Sequence, residues 1–511
     1  MTIPDDDGFV SLLTARASVE PGRVYARFCG EPVTYAGLER RSAAFAAHLR
    51  ARGIKAGDRV AVMMRNSIAT IAVVFGLARA GVAWVPVNAQ QRGEGLRYLL
   101  THSQPRLVVA DAELAPQIAE AMASEAARPL LLNEPGGELD AVLARNERFD
   151  EPAPSADAVF AIMYTSGTTG RPKGVIVSHR MLRLAAESVA RLSDARPDDV
   201  FFVWEPLYHI GGAQLLPLPM IRGVTLAMVE RFSASRFWDQ VREEGATHIH
   251  YLGGILQILL KQPPSPRDRA HGVRIAWGGG CPPDIWPQFR DRFGIAIREC
   301  YGMTEASSLT TCNVTGALGS VGRPLPWFTV KLLDGEGRSV AVGERGEIVI
   351  ETSIQGAIFP GYLDNLEATA KALREDGFHT GDLGSFDADG NLYFHGRMTD
   401  SVRCRGENVS AWEVEHVAAE HEAVEDCAMI GVAADVGEQD IKLFVKARDG
   451  IVIDLQALSG WLGQRLAPYQ NPRYIAVVDD FERTASQRIM KHKLSPGLDD
   501  CWDRAAIATR L

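Results

Sequence analysis

The segment Thr165 to Gly174, TSGTTGRPKG, gathers glycines, Thr and Ser hydroxyls and a single lysine into one short stretch. Glycines let a ligand approach the backbone and expose N–H groups. The hydroxyls donate to phosphate oxygens, and Lys173 supplies a point charge. A Gly-rich stretch alone reads as a flexible surface loop. Here the apolar strand Val159 to Tyr164 runs straight into it, and hydroxyl density plus the placed lysine favour phosphate handling. It is not a Walker A loop, because Pro172 precedes Lys173 and Gly174 follows it. A P-loop NTPase is therefore disfavoured.

The elements that must carry this loop alternate in α/β fashion. Thr34 can cap a helix whose apolar positions Leu38, Phe45 and Leu49 recur at helical spacing, and Gly53 can end it. Arg59 to Met64 reads as a strand. A helix rich in Ala, Val and Leu then runs to about Ala80, Gly81 stops it, and Val82 to Val87 is a further strand. Short continuous apolar runs of this kind suit buried parallel strands. NEPGGELD and DEPAPSAD place a subdomain break near 133–157. Beyond GRMTD, Gly396 to Asp400, the pattern changes. Glu413 to Glu420 and Leu455 to Arg465 read as helices. Ala428 to Val432, Leu443 to Lys446 and Tyr474 to Val478 read as strands, enough for a small α+β domain.

Bulk properties narrow the class. A chain of 511 residues suggests roughly three packed units. A 46% hydrophobic and 23% charged composition is that of a globular enzyme. The net charge of -10 argues against a nucleic-acid binder, while local cations can still hold phosphate. MTIPDDDGFV lacks the basic start and apolar run of a signal peptide, and no apolar stretch is long enough to span a bilayer. The seven cysteines, at 29, 281, 300, 312, 404, 427 and 501, form no Cys-x-x-Cys pair. They fit scattered reduced thiols in a cytoplasmic protein.

YTSGTTGRPKG resembles the phosphate loop of the adenylate-forming superfamily of acyl-CoA synthetases, peptide-synthetase adenylation domains and luciferases. Further motifs follow in that family's order: TYAGLERRSAAFAAHL (Thr34 to Leu49), PLYHIGG (Pro206 to Gly212), YGMTE (Tyr301 to Glu305), SVGRPLP (Ser320 to Pro326), HTGDLG (His379 to Gly384) and GRMTDSVRCRGENVSAWEVE (Gly396 to Glu415). The resemblance covers nearly the whole chain and is closest to free-standing acyl-CoA synthetases. It implies a large multi-subdomain N-terminal domain over 1–396, a hinge at 397–400 and a small, mobile α+β lid over 401–511.

The family implies two half-reactions. A carboxylate attacks the α-phosphate of ATP, giving acyl-AMP and pyrophosphate, and the thiol of coenzyme A then displaces AMP. Charge develops between two anions in the first step, so placed cations and Mg²⁺ are expected. By resemblance, Thr165, Ser166, Gly167, Thr168, Thr169 and Lys173 hold phosphates. Thr304 touches the α-phosphate, Glu305 helps hold Mg²⁺ and Tyr301 stacks near adenine. Asp382 accepts from the ribose hydroxyls and Arg397 contacts the same ribose. Taken singly, Tyr301 reads as core packing, Glu305 as a solvated charge and Asp382 as a turn residue. Their order and company assign the roles.

His209 resembles the gate between acyl pocket and thiol tunnel. Trp204, Gly253, Gly254, Gly278, Gly279 and Gly280 are candidates to line the acyl pocket, with Gly253 and Gly254 making room for a bulky acid. A peptide-synthetase domain needs an acidic group for the α-amine, usually an Asp in the pocket motif, where this chain has Trp204-Glu205-Pro206. Gly406 can let pantetheine pass, and Arg403, Arg405 and Lys442 are candidate contacts for CoA phosphates.

Two departures from the family pattern matter. At the pivot position stands Thr399, with Asp400 one further on. Where the family carries its adenylation lysine, ERTASQRIMKHKL (Glu482 to Leu494) has Arg488, and Lys491 and Lys493 lie beyond. Arg replaces a compact ammonium with a planar fork. The leading reading is an AMP-forming acyl-CoA ligase that makes acyl-CoA from acid, ATP and CoA; its sharper version performs mainly thioester formation from acyl-AMP, with a separate adenylating enzyme as a candidate partner. The alternatives are a degenerate acyl-AMP-binding protein, or a free-standing enzyme that loads a carrier protein. No residue favours a luciferase-like oxygenase, and no Gly-x-Ser-x-Gly elbow points to a serine hydrolase. Monomer and homodimer both stay open.

Overall fold

A computed structural model describes residues 6–123, 128–165, 172–398, 401–404, 407–434, 439–466, 468, 470–484 and 489–508. The chain is a mixed α/β protein of two compact units, Met1–Thr329 with Ile350–Phe378, and Val330–Val349 with His379–Leu511. The division therefore falls earlier than the expected junction at 396–401. The reason is strand pairing: Gly377–Phe386 runs antiparallel to Leu392–Arg397, and Thr380 Oγ1 donates to the Ile348 carbonyl at 2.7 Å. Those residues hold together as one piece.

The large unit is built on two sheets. In the first, strands follow the order Leu130–Asn133, Leu107–Asp111, Arg59–Met63, Ala83–Pro86, Val159–Thr165 and Lys173–Ser178. All neighbours are parallel except the last pair, which is antiparallel. Leu130–Asn133 and Val159–Thr165 share this sheet, so 133–157 is a surface crossover rather than a subdomain break. Its own helix, Glu138–Ala144, buries Leu139, Val142 and Leu143 and packs on helix Tyr35–Ala51.

The second sheet has nine strands, in the order Arg323–Pro324, Thr311–Cys312, Ala296–Tyr301, Ile275–Gly279, His248–Leu252, Val200–Val203, Thr225–Met228, Val24–Phe28 and Glu31–Thr34. From Ala296–Tyr301 to Val24–Phe28 every pair is parallel. Helix His179–Ser193 packs against strands of both sheets and buries Met181, Leu182, Ala185, Ala186, Val189 and Leu192. Crevices at the carboxyl ends of parallel strands are where such folds bind ligands.

Helix Tyr35–Ala51 forms as its sequence dictates. Thr34 caps it by accepting from the Gly37 N–H, its Leu38, Phe45 and Leu49 are fully buried, and Gly53 follows at φ +75°. It packs on helix Ile68–Arg79 through a close approach at Gly76, where a Cβ would sit 2.8 Å from Phe45 Cδ1.

In the small unit, Val424–Ala433, Gln439–Ala447, Tyr474–Val478 and Trp502–Asp503 form a mixed sheet. Helices Ala411–Ala419 and Leu455–Gly463 contribute Val414, Leu458 and Leu462 to a core with Met429, Leu443 and Val445. Phe444, Ala476 and Phe481 pack on the opposite face. All seven cysteines are free thiols, and among the described residues no helix is long and apolar enough to cross a membrane. Loss of the Thr34 cap has a direct readout: Thr34→Ala is expected to lower stability by about 1 kcal/mol, seen as a lower urea midpoint of the large unit.

Candidate active site

Thr165 and Lys173 are the last register pair of the antiparallel strands, so the phosphate-type loop is the tip of a hairpin. Ser166, Gly167, Thr168 and Thr169 lie outside the described residues. Both roots of the loop are tied to helix Gly93–Ser103. Tyr98 Oη donates to the Pro172 carbonyl at 3.2 Å, and His102 Nδ1 shares a 2.7 Å hydrogen bond with Tyr164 Oη. A Cβ on Gly174 would sit 2.9 Å from Ile162 Cγ2 and 3.3 Å from the Tyr164 ring, so packing alone requires glycine there.

At the carboxyl end of Ala296–Tyr301, the chain turns through a short 3₁₀ segment, Thr304–Ala306, into Ser307 and Ser308 at φ +51° and +69°. Successive left-handed non-glycine residues are strained, and such strain clusters at functional sites. It is held by Ser307 Oγ donating to the Ala357 carbonyl at 2.6 Å and Ser308 Oγ to Gln214 Oε1 at 2.7 Å. Gly302 has no room for a side chain, since a Cβ would lie 2.6 Å from Leu309 Cα. Tyr301, Thr304 and Glu305 are all buried on this turn.

Tyr362, which no motif singled out, joins the two sheets. Its hydroxyl donates to Glu305 Oε1 at 3.0 Å, and Lys173 Nζ lies 5.0 Å from the centre of its ring. Its own segment is pinned to both partners: the Phe359 N–H donates to the Glu305 carbonyl, the Leu363 N–H to the Gly174 carbonyl, each at 2.8 Å. Lys173 and Glu305 are thus brought to the same tyrosine. No sequence spacing signals the tyrosine, 57 residues from its acid.

The candidate acyl side is set by Val200–Val203 and His248–Leu252. His209 precedes a single turn, Ile210–Ala213, and its carbonyl accepts from the Gly212 and Ala213 N–H groups. Trp204 is buried, and its indole N–H donates to the His250 carbonyl at 2.8 Å. The glycines separate into two kinds. A Cβ on Gly253 would meet nothing within 4 Å, and one on Gly254 only Gln257 Oε1 at 3.5 Å, so both border open space. Gly278 is different, because a Cβ would lie 2.9 Å from the Tyr251 carbonyl carbon: neighbouring backbone excludes a side chain there. Gly279 faces the Cys300 carbonyl at 3.3 Å, and Gly280 takes φ +88°.

Gly280 is placed by Glu299, another residue outside the motifs. The Glu299 carboxylate accepts from the N–H groups of Gly280 and Cys281 and, at 2.5 Å, from Tyr251 Oη. Burial pushes its pKa up to about 7, with these three hydrogen bonds working in the opposite direction.

In the small unit, Asp382 and Arg397 are register partners, with Arg397 Nε 3.4 Å from Asp382 Oδ1, so the two expected ribose contacts stand together. Lys442 is a correction. It is fully buried, donates to the Ser495 and Gly497 carbonyls at 3.2 and 2.5 Å, and pairs with Asp500 at 2.5 Å. An ammonium so enclosed anchors the C-terminal segment and is not offered to a CoA phosphate. Lys491 pairs with Glu415 at 2.8 Å, and Lys493 pairs with Glu482. Thr399, Asp400, Arg405, Gly406 and Arg488 lie outside the described residues, as does the side chain of Arg403.

Glu299 generates a pH prediction. Its folded pKa lies above the ordinary value near 4.5, so between about pH 4.5 and 7 the folded state binds more protons than the unfolded one. Its contribution to stability therefore falls as pH rises through that window and is constant above it. Glu299→Gln keeps an oxygen for the Gly280 and Cys281 N–H groups, and Tyr251 can turn its proton to the Arg298 carbonyl at 3.3 Å. The stability difference between variant and wild type is expected to move by about 3 kcal/mol in the variant's favour from pH 4.5 to 7.5, measured by urea unfolding. A difference that does not change with pH refutes it.

The model of the AMP-binding enzyme family matches residues 13–363, and that of the AMP-binding enzyme C-terminal domain matches 413–488. A feruloyl-CoA synthase of an Amycolatopsis species is 34% identical over 95% of this chain and 98% of its own. A crotonobetaine/carnitine–CoA ligase of Salmonella paratyphi B is 32% identical, over 86% and 89%. Among solved structures, ATP-bound MatB from Rhodopseudomonas palustris is 28% identical, with a TM-score of 0.86 over 94% of this chain and 97% of that one. The phosphate-type hairpin, the Thr304–Glu305 turn and this similarity along both units agree: the chain belongs to the AMP-binding enzyme family, as an AMP-forming acyl-CoA ligase.

Proposed function

We propose that this ligase takes a bulky aromatic acid to its CoA thioester through acyl-AMP, and that the thioester-forming half-reaction is the one its residues serve best. The observation that carries the adenylate part is the meeting of Lys173 and Glu305 on Tyr362. In this reading Thr165, Ser166, Gly167, Thr168, Thr169 and Lys173 receive the phosphates, Thr304 the α-phosphate, Tyr301 the adenine, and Asp382 with Arg397 the ribose. Glu305 would hold Mg²⁺, which would neutralise charge on the phosphates; a site offering one carboxylate suits that ion. Among the described residues no group of three or more His, Cys, Asp or Glu forms a metal cage of its own.

The acid is placed beyond His209, between Trp204 and the open positions Gly253 and Gly254. The feruloyl-CoA synthase named above supports an aromatic group of that bulk. Thr399 and Asp400, inside the small unit, serve as the pivot for residues 401–511, Gly406 passes the pantetheine arm, and Arg403 and Arg405 meet CoA phosphates. Arg488 is the weak point for adenylation. The nearby Lys491 and Lys493 are engaged by Glu415 and Glu482, so neither is a ready replacement. A partner enzyme that supplies acyl-AMP completes this picture.

Two assays test it. Carboxylate-dependent pyrophosphate exchange is expected to be slow, and thioester formation from a synthetic acyl-AMP and CoA fast. Arg488→Lys is expected to raise exchange by about 10²–10³, the usual worth of one preorganised transition-state donor. Fast exchange in the wild type, unimproved by the substitution, removes the half-reaction specialisation. Failure with acyl-AMP as well removes the proposed activity.

A further inference from the structure

A second buried carboxylate stands at the acyl side, facing an imidazole and taking no hydrogen bond from the described residues. Glu205 lies two residues beyond strand Val200–Val203, at the sheet edge from which the His209 turn departs. Its side chain is 4% exposed and that of His250 is 5%. Glu205 Oε2 and His250 Nδ1 are 2.9 Å apart, yet misaligned, and both atoms are buried without a hydrogen bond. Glu205 Oε1 and His250 Nε2 likewise take no hydrogen bond among the described residues. Most buried polar groups are satisfied, and a desolvated carboxylate is costly when it is not.

The surroundings give this pair a direction. The imidazole is flanked by Trp277, with ring centres 4.2 Å apart, and by Trp204 at 6.1 Å. The carboxylate occupies the space that a side chain on Gly211 would take, since a Cβ there would lie 2.5 Å from Oε2 and 2.6 Å from Cδ. Three residues after His250, the same strand has ended at Gly253, which borders open space.

We propose that Glu205 and His250 form the subsite that reads the acyl group, and that the acid taken by this enzyme bears a hydroxyl there; the inference rests on the ligase reading of the same site. A hydroxyl is the group that serves both partners at once, donating its proton to the carboxylate and accepting from an imidazole N–H. An ammonium can do only the first, and a plain hydrocarbon does neither. Sites built to bond a hydroxyl reject analogues that lack it far more strongly than apolar pockets reject a missing methylene.

The test uses the full-length enzyme, CoA and synthetic adenylates of cinnamate, its 2-, 3- and 4-hydroxy forms, and octanoate, so that adenylation efficiency plays no part. One hydroxy isomer is expected to exceed cinnamate in kcat/KM by about 10²-fold or more. Glu205→Leu is expected to bring that ratio to about threefold or less, with far-UV circular dichroism reporting that the variant folds. Glu205→Gln, which keeps the shape and one acceptor oxygen, is expected to cut the ratio by about tenfold and serves if the leucine variant does not fold. The proposal is overturned if no hydroxy isomer surpasses cinnamate, if the preference persists in Glu205→Gln, or if only octanoyl-adenylate is used. Thioester formation from none of the five overturns the ligase reading instead.

Discussion

The hydrogen bond from Tyr362 to Glu305, with the Lys173 ammonium over the same ring, couples the working edges of two separate sheets. A lysine and a carboxylate can act on one polyphosphate only if the strands carrying them are held in register with each other. The sheets do not share a strand, so that register has to come from a third segment. Residues 359–363 provide it, bonding through their backbone to Glu305 on one side and to Gly174 on the other. The strained Ser307–Ser308 turn and the packed Gly302 then have a purpose: they fix Thr304 and Glu305 relative to Tyr362. Helix Gly93–Ser103 does the same for the roots of the hairpin loop.

Buried polar groups mark where the small contacts matter most. Glu299, held by Tyr251 and two backbone N–H groups, pulls the Gly280 turn onto strand Ala296–Tyr301. Lys442 does comparable work in the small unit by gathering the carbonyls of Ser495 and Gly497. One is a carboxylate that collects donors, the other an ammonium that collects acceptors. In both cases a charge buried with its partners organises backbone that has no regular secondary structure of its own. The Glu205 carboxylate and the His250 imidazole differ in that they take no hydrogen bond from the described residues.

The short apolar strands, the Thr34 cap and the strand that runs into the Lys173 loop are readable from sequence because each rests on local periodicity or capping. The crossover at 133–157 misled for a physical reason: Pro, Gly and acid mark a solvent-exposed path, and such a path can leave and rejoin the same sheet. Lys442 misled because burial is not a property of residue type. Nothing in KLFVKA tells which lysine is enclosed, since that depends on a tail more than fifty residues on. Tyr362, Glu299 and Glu205 escaped notice because their roles arise from contacts between distant strands, whereas motifs record only neighbours along the chain. Gly253 and Gly278 look alike in sequence, and only the structure shows that Gly253 borders open space at φ +48° while neighbouring backbone crowds Gly278.

The antiparallel final strand of the six-stranded sheet decides how a phosphate must be gripped. In a parallel arrangement the loop would lead into a helix, and the helix macrodipole would present partial positive charge to the anion. Here Lys173–Ser178 runs back across the sheet, and the helix His179–Ser193, capped by Ser178, starts at the far edge. Among the described residues a strand, not a helix N-terminus, follows the loop. In the proposed phosphate role, side-chain charge then weighs more, and Lys173 would be the counterpart of what other nucleotide-binding folds obtain from a helix terminus.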